Sequence, residues 1–261
     1  MRIAALVALL IIVALPLAAD DTADFLKAVA ADDLPTVQSM LARDPALANA
    51  HSPKGTAAVT IALFINKGEG FLDPAKNEVL HAILAKKPTL DAFQTAALGT
   101  PAQLEAMLTD AASVTRRNAF GWTLLHMSAF GGNAATTELL IRKGAAIESR
   151  AESRFRNTPL QVALLSGQYA TAKILLDHGA DALVRQALGF TPMHEAALLG
   201  RTDLIQLLLD HGAEINSLAD NGHTPLAEAI RGKHEEAVAW MKTKGAAVGA
   251  QPDVEPPPVK K

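Results

Sequence analysis

The chain has 261 residues, 49% hydrophobic and 20% charged, a balance that excludes a disordered polymer and supplies enough apolar surface for a sizeable core. A formal charge of −3, with no basic run longer than pairs such as Lys86-Lys87 and Arg116-Arg117, argues against phosphate-backbone binding, and the absence of cysteine excludes disulfides and thiol chemistry. Aromatic residues make up only 4%, which favours small-residue helix packing over a sandwich or barrel.

In chain order, Met1-Arg2 precede an apolar run from Ile3 to Leu15, followed by Pro16-Leu17-Ala18-Ala19 and then Asp20-Asp21. Residues 1–19 are expected to be a signal peptide cleaved near Ala19, because small residues follow a helix breaker and acids stand where a stop-transfer signal would carry lysines. The alternative is a membrane anchor over residues 3–17, although the apolar run falls short of the roughly 20 residues a spanning helix needs. Cleavage would remove Arg2 and no acid, leaving 23 basic against 27 acidic residues, a charge of −4. The expected location is periplasmic or secreted, without stable membrane insertion once the signal is removed.

From residue 20 to 117 three helix-pair units are expected. The first has a turn at Asp32-Asp33 and a second helix through Val37, Met40 and Leu41. The next runs from Thr56 to Asp91 and is interrupted by Asn66 to Pro74; the third covers Ala92 to Asn118.

From 118 to 249 the pattern becomes regular. Thr123-Leu124-Leu125-His126, Thr158-Pro159-Leu160-Gln161, Thr191-Pro192-Met193-His194 and Thr224-Pro225-Leu226-Ala227 recur at intervals of 35, 33 and 33 residues. Gly144, Gly179, Gly212 and Gly245, each followed by Ala, keep the same step after runs such as Leu207-Leu208-Leu209. A threonine can cap the backbone N–H groups of a helix start, proline suits the first turn, and glycine accepts the left-handed turn after the second helix. Lys242 stands where Ile141, Leu176 and Leu209 stand earlier, as expected of an outermost repeat with a polar face. Residues 250–261, with Pro256-Pro257-Pro258, are expected to form an extended tail.

These residues resemble the ankyrin repeat, a 33-residue helix-turn-helix unit with T-P-L-H at its first helix and Gly-Ala after its second. The resemblance implies an all-α solenoid of four clear and three degenerate repeats. It also implies a role as a noncatalytic binding module that takes a protein or peptide partner through finger turns and the concave ends of the first helices. Carried over to this chain, those positions are Phe120, Trp122, Phe130, Arg154, Phe155, Leu188, Phe190, Leu198, Leu199, Asn221 and His223. The partner is expected to meet a monomer, with no cofactor, metal or nucleic acid.

Signatures of chemistry do not complete themselves. His194-Glu195-Ala196-Ala197-Leu198 begins like a zinc-protease helix but lacks the second histidine, and His234-Glu235-Glu236-Ala237-Val238 fails the same way. His126 and His194 occupy one repeat position and His178 and His211 another, too far apart in stacked units to share a metal; the resemblance implies that the first pair hydrogen-bonds between neighbouring loops, as the histidine of the ankyrin T-P-L-H motif does. The rival reading is an enzyme or small-ligand protein built on the 66–74 insertion, with Asp73 and His81 as its candidate residues.

Overall fold

The computed structural model describes residues 19–64 and 76–249. The expected signal peptide up to Ala18, the insertion at 66–74 with Asp73, and the tail at 250–261 lie outside the described residues. Among those described, fifteen α-helices and one 3₁₀ turn alternate with loops and no strand occurs, so the fold is an all-α repeat fold. No described helix is long and apolar enough to cross a membrane.

The described residues fall into two compact units, one of residues 19–64 with 76–89 and one of residues 90–249. The first unit contains α1 (Ala19–Ala30), α2 (Leu34–Arg43), the 3₁₀ turn (Pro45–Asn49), α3 (Ala58–Leu63) and α4 (Glu78–Leu84). Helix α1 packs on α2 and α3, and α4 on α2 and α3, burying Phe25, Val29, Val37, Leu41, Val59, Leu63, Leu80 and Ile83. Short polar side chains fix the helix starts: Asp33 Oδ1 accepts from Thr36 N at 3.2 Å, and Asn77 Oδ1 accepts from Leu80 N at 2.8 Å. Asn77 also donates to Ala62 O at 2.6 Å, so one residue starts α4 and ties it to α3.

The second unit holds α5 (Ala92–Leu98), α6 (Pro101–Met107), α7 (Ala111–Thr115), α8 (Leu124–Gly131), α9 (Ala134–Arg142), α10 (Pro159–Leu165), α11 (Tyr169–Asp177), α12 (Pro192–Leu198), α13 (Thr202–Asp210), α14 (Pro225–Arg231) and α15 (Glu235–Thr243). Within it the first helices α5, α8, α10, α12 and α14 pack successively, and α6, α9, α11, α13 and α15 form a second layer against them. The weak repeat that starts at Ala92 therefore belongs with the four regular ones.

The repeat markers have local causes in this geometry. Thr123, Thr158 and Thr224 accept from the backbone N–H three residues on, at 3.3–3.4 Å, and Pro159, Pro192 and Pro225 occupy the first turn. Gly144, Gly179, Gly212 and Gly245 take φ of 84–90° just beyond the second helices, where a side chain would strain the backbone. Helices of seven or eight residues are too short to persist alone, so packing must hold them. All residues from Leu124 to Phe130 are buried, whereas α9 buries only Thr136, Thr137, Leu139 and Leu140. That difference explains the Ala and Gly content of the first layer: a Cβ at Gly131 would lie 2.4 Å from Ala97 O of the preceding repeat.

Candidate functional site

The loops entering α8, α10, α12 and α14 form a row of four fingers. Each is closed at its base by a backbone bond: Asn118 N→Trp122 O, Ala151 N→Asn157 O, Gln186 N→Phe190 O and Ala219 N→His223 O, all at 2.9 Å. Neighbouring fingers are joined by Glu152 N→Gly121 O at 3.1 Å, Ala187 N→Phe155 O at 3.0 Å and Asp220 N→Leu188 O at 3.2 Å. Arginines at one repeated position reinforce these bonds. Arg117 donates to Arg150 O at 2.8 Å, Arg150 to Arg185 O at 2.6 Å and Arg185 to Leu218 O at 2.8 Å. Arg117 also pairs with Glu152 at 3.1 Å and Arg185 with Asp220 at 2.9 Å. The row is thus preorganised by charge-assisted bonds to carbonyls that loops would otherwise leave to water.

Beneath the fingers the third residue of α8, α10 and α12 spans to the next loop. His126 Nε2 lies 3.1 Å from Asn157 O, Gln161 Nε2 donates to Phe190 O at 3.5 Å, and His194 Nε2 lies 3.0 Å from His223 O. Their other ends meet Thr123, Thr158 and Thr191, so both histidines bridge neighbouring loops as expected, and Gln161, for which no such role was expected, does the same. Burial pushes the His126 imidazole down to about 4 and lowers that of His194, which keeps both neutral. His178 and His211 instead reach Glu138 and Asp177 at 3.1 and 3.3 Å on the preceding second helix. Among the described residues no group of three or more His, Asp or Glu could hold a metal. His81 is exposed on α4.

The expected binding residues separate into four groups. Phe120, Phe155 and Leu188 are 51%, 36% and 52% exposed at the finger tips, with Arg154 stacked 4.4 Å from the Phe155 ring centroid. Trp122 and Phe190 are half-buried against histidines: Trp122 lies parallel to His126 at 6.1 Å and Phe190 edge-on to His194 at 5.2 Å. Leu198 and Leu199 are half-buried at the end of α12, Asn221 is exposed, and His223 Nδ1 lies 2.9 Å from Glu228 Oε1. Phe130 must be withdrawn from the exposed strip: it is only 2% exposed and takes the edge of Trp122 at 5.6 Å. A residue at the end of a first helix was expected to face the groove, but Phe130, next to last in α8, is covered by the large indole in front of it.

Two features were not foreseen. Leu218, 54% exposed, ends the arginine column where the next arginine would stand. Glu195 is 2% exposed with neither carboxylate oxygen hydrogen-bonded, and burial raises its pKa well above the usual carboxyl range. Aligning the four repeats column by column is the signal that finds both.

A family model described as ankyrin repeats, in three copies, matches residues 92–186 and 183–252, more than half of the chain. The chain belongs to the ankyrin-repeat family. Ankyrin repeats are generally protein–protein interaction modules and typically noncatalytic, which agrees in kind with a row of rigid fingers carrying exposed apolar tips. No curated protein matches the chain.

Proposed function

We propose that this ankyrin-repeat protein is a noncatalytic binding module, exported from the cell, that holds a protein or peptide partner across its finger row and the adjoining ends of the first helices. The observation that carries the reading is the alignment of exposed Phe120, Phe155 and Leu188 at one position on three successive fingers, which arginines lock to one another and to the fourth finger. Exposed apolar side chains on a preorganised frame bury area on binding without a large ordering cost, and a few such anchors dominate affinity. Trp122, Phe190, Leu198, Leu199, Asn221 and His223 form the half-buried floor and polar edge of that surface. The module works as a monomer without cofactor or nucleic acid.

A photo-reactive phenylalanine analogue placed at Phe120 or Leu188 in the native host tests this. Adducts should form from those positions and not from Lys173, on the far helix layer; adducts from Lys173 alone, or from none, defeat the reading. The apolar run at Ile3–Leu15 supports export, and the mass of the native protein tests it. A start near Asp20 agrees, whereas intact Met1 in the membrane fraction would mean a tethered protein.

A further inference from the structure

The second finger differs from the other three in ways that point to a particular kind of partner. In fingers one, three and four the closing bond spans four residues, but Ala151 N→Asn157 O spans six. The two extra residues of the 35-residue interval are therefore spent at the tip, in Glu152-Ser153-Arg154-Phe155-Arg156. The residue two before the helix cap is Gly121, Gly189 and Gly222 in its neighbours, with φ of 73–79°; here it is Arg156, with φ of 57°. Left-handed backbone disfavours any side chain, so arginine is kept at this point against a conformational cost that glycine would remove.

The cations at this tip are also unlike the others. Arg117 and Arg185 are engaged by Glu152 and Asp220, while neither Arg154 nor Arg156 has a carboxylate partner among the described residues. Both are exposed, and the Arg154 guanidinium lies over the Phe155 ring. Bonds between adjacent fingers bring this tip beside Gly121, which follows Phe120, and beside Ala187, which precedes Leu188. Two unpaired planar forks thus stand within an apolar platform. A guanidinium held on an aromatic face keeps its donor edge free for a carboxylate, with which it can form paired hydrogen bonds.

We propose, resting on the function given above, that the partner presents an acidic-apolar peptide segment, its aspartate or glutamate bound by Arg154 and Arg156 and its apolar residues by Phe120, Phe155 and Leu188. Nucleic acid is disfavoured because Glu152 and Asp220 pair with Arg117 and Arg185 and interrupt the basic character of the same row.

The test titrates labelled synthetic peptides of alternating glutamate with leucine or phenylalanine onto the full chain at low salt, beside a glutamine-for-glutamate version and an oligothymidylate. The acidic peptide should bind about tenfold or more tightly than the glutamine version. Arg154→Gln and Arg156→Gly should each erase about that margin, while Lys173→Gln, on α11, leaves it. Arg156→Gly should not lower the melting temperature, since it relieves strain, so lost binding cannot be blamed on lost folding. Equal binding of the two peptides, no binding of either, tighter binding of the oligothymidylate, or an unaffected Arg156→Gly variant overturns the assignment. If it falls while adducts still form at Phe120 and Leu188, only the acidic chemistry is wrong; if those adducts vanish too, the finger surface itself is wrong.

Discussion

His126 and Gln161 hold the same place in successive repeats and make the same loop-to-loop bridge, but only one of them titrates. Because the folded pKa of His126 is held at about 4, below its ordinary 6.5, the unfolded chain binds the extra proton between those values. Stability is therefore fully present above pH 6.5 and is lost as pH falls toward 4, by on the order of 3 kcal/mol. His126→Gln should keep stability at neutral pH within about 1 kcal/mol and flatten the acid limb of a urea-melting series; an unchanged acid limb would assign it elsewhere. Glu195 slopes the other way. Its folded pKa is raised, so the folded state keeps a proton the unfolded state has released, and stability falls as pH rises through the range between the two values. The equivalent residues are Met127, Val162 and Glu228, and Glu228 differs in meeting His223 and Arg231. Glu195→Met should raise stability at neutral pH by about 1–3 kcal/mol, read as a higher melting midpoint, unless the carboxylate has a partner when the chain is at work. The bridging histidines were legible in Thr-Pro-Met-His, because the residue types carry the hydrogen bonds themselves. Glu195 was missed because within His-Glu-Ala-Ala-Leu it was weighed only as half of a zinc-protease motif, and not against its repeat column, where Met127 and Val162 mark a core position.

The element that organises the finger row is the ladder of arginines rather than any one helix. Arg117, Arg150 and Arg185 each reach one finger forward, so the ends of three loops are held by bonds that secondary structure does not provide. Removing the middle rung by Arg150→Met should leave Arg185 O without its charged donor and cost about 1–2 kcal/mol. Amide exchange would localise the damage, with Ala187 and Asp220 exchanging faster and the core amides of α11 unchanged; uniform exchange would mean that the fingers are held by their backbone bonds alone. Helix pairs, capping threonines and glycine turns could be read from Thr158-Pro159 or from Gly179-Ala180, since each is a local preference repeated at a fixed step. The ladder was missed because the finger that contains Arg150 is two residues longer, which puts Arg150 out of step with the threonine markers, although it keeps step with Gly144, Gly179 and Gly212. Phe130 failed for a related reason: its helix position was read correctly, but its cover, Trp122, comes from a different element.

At the scale of the molecule, the fingers from Arg117 to His223 lie wholly within the compact unit of residues 90–249. Its core, including Leu125, Leu140, Leu160, Leu164, Leu175, Leu204 and Leu208, is assembled by packing between adjacent helices, the arrangement in which stability adds repeat by repeat. Two consequences separate surface from core. Phe120→Ala and Leu188→Ala should shift the melting midpoint little, whereas Leu175→Ala, which opens a cavity in the second layer, should cost about 2–5 kcal/mol. Trp122→Ala and Phe190→Ala should fall between, because each strips the cover from a buried histidine that bridges two loops. The second consequence concerns the unit itself. If nearest-neighbour packing accounts for its order, a fragment of residues 90–249 should be helical, melt cooperatively and keep whatever binding the finger tips confer on the full chain. Circular dichroism and the same peptide titration decide this, and a fragment that is unfolded or silent would show that the finger row draws its rigidity from residues outside 90–249.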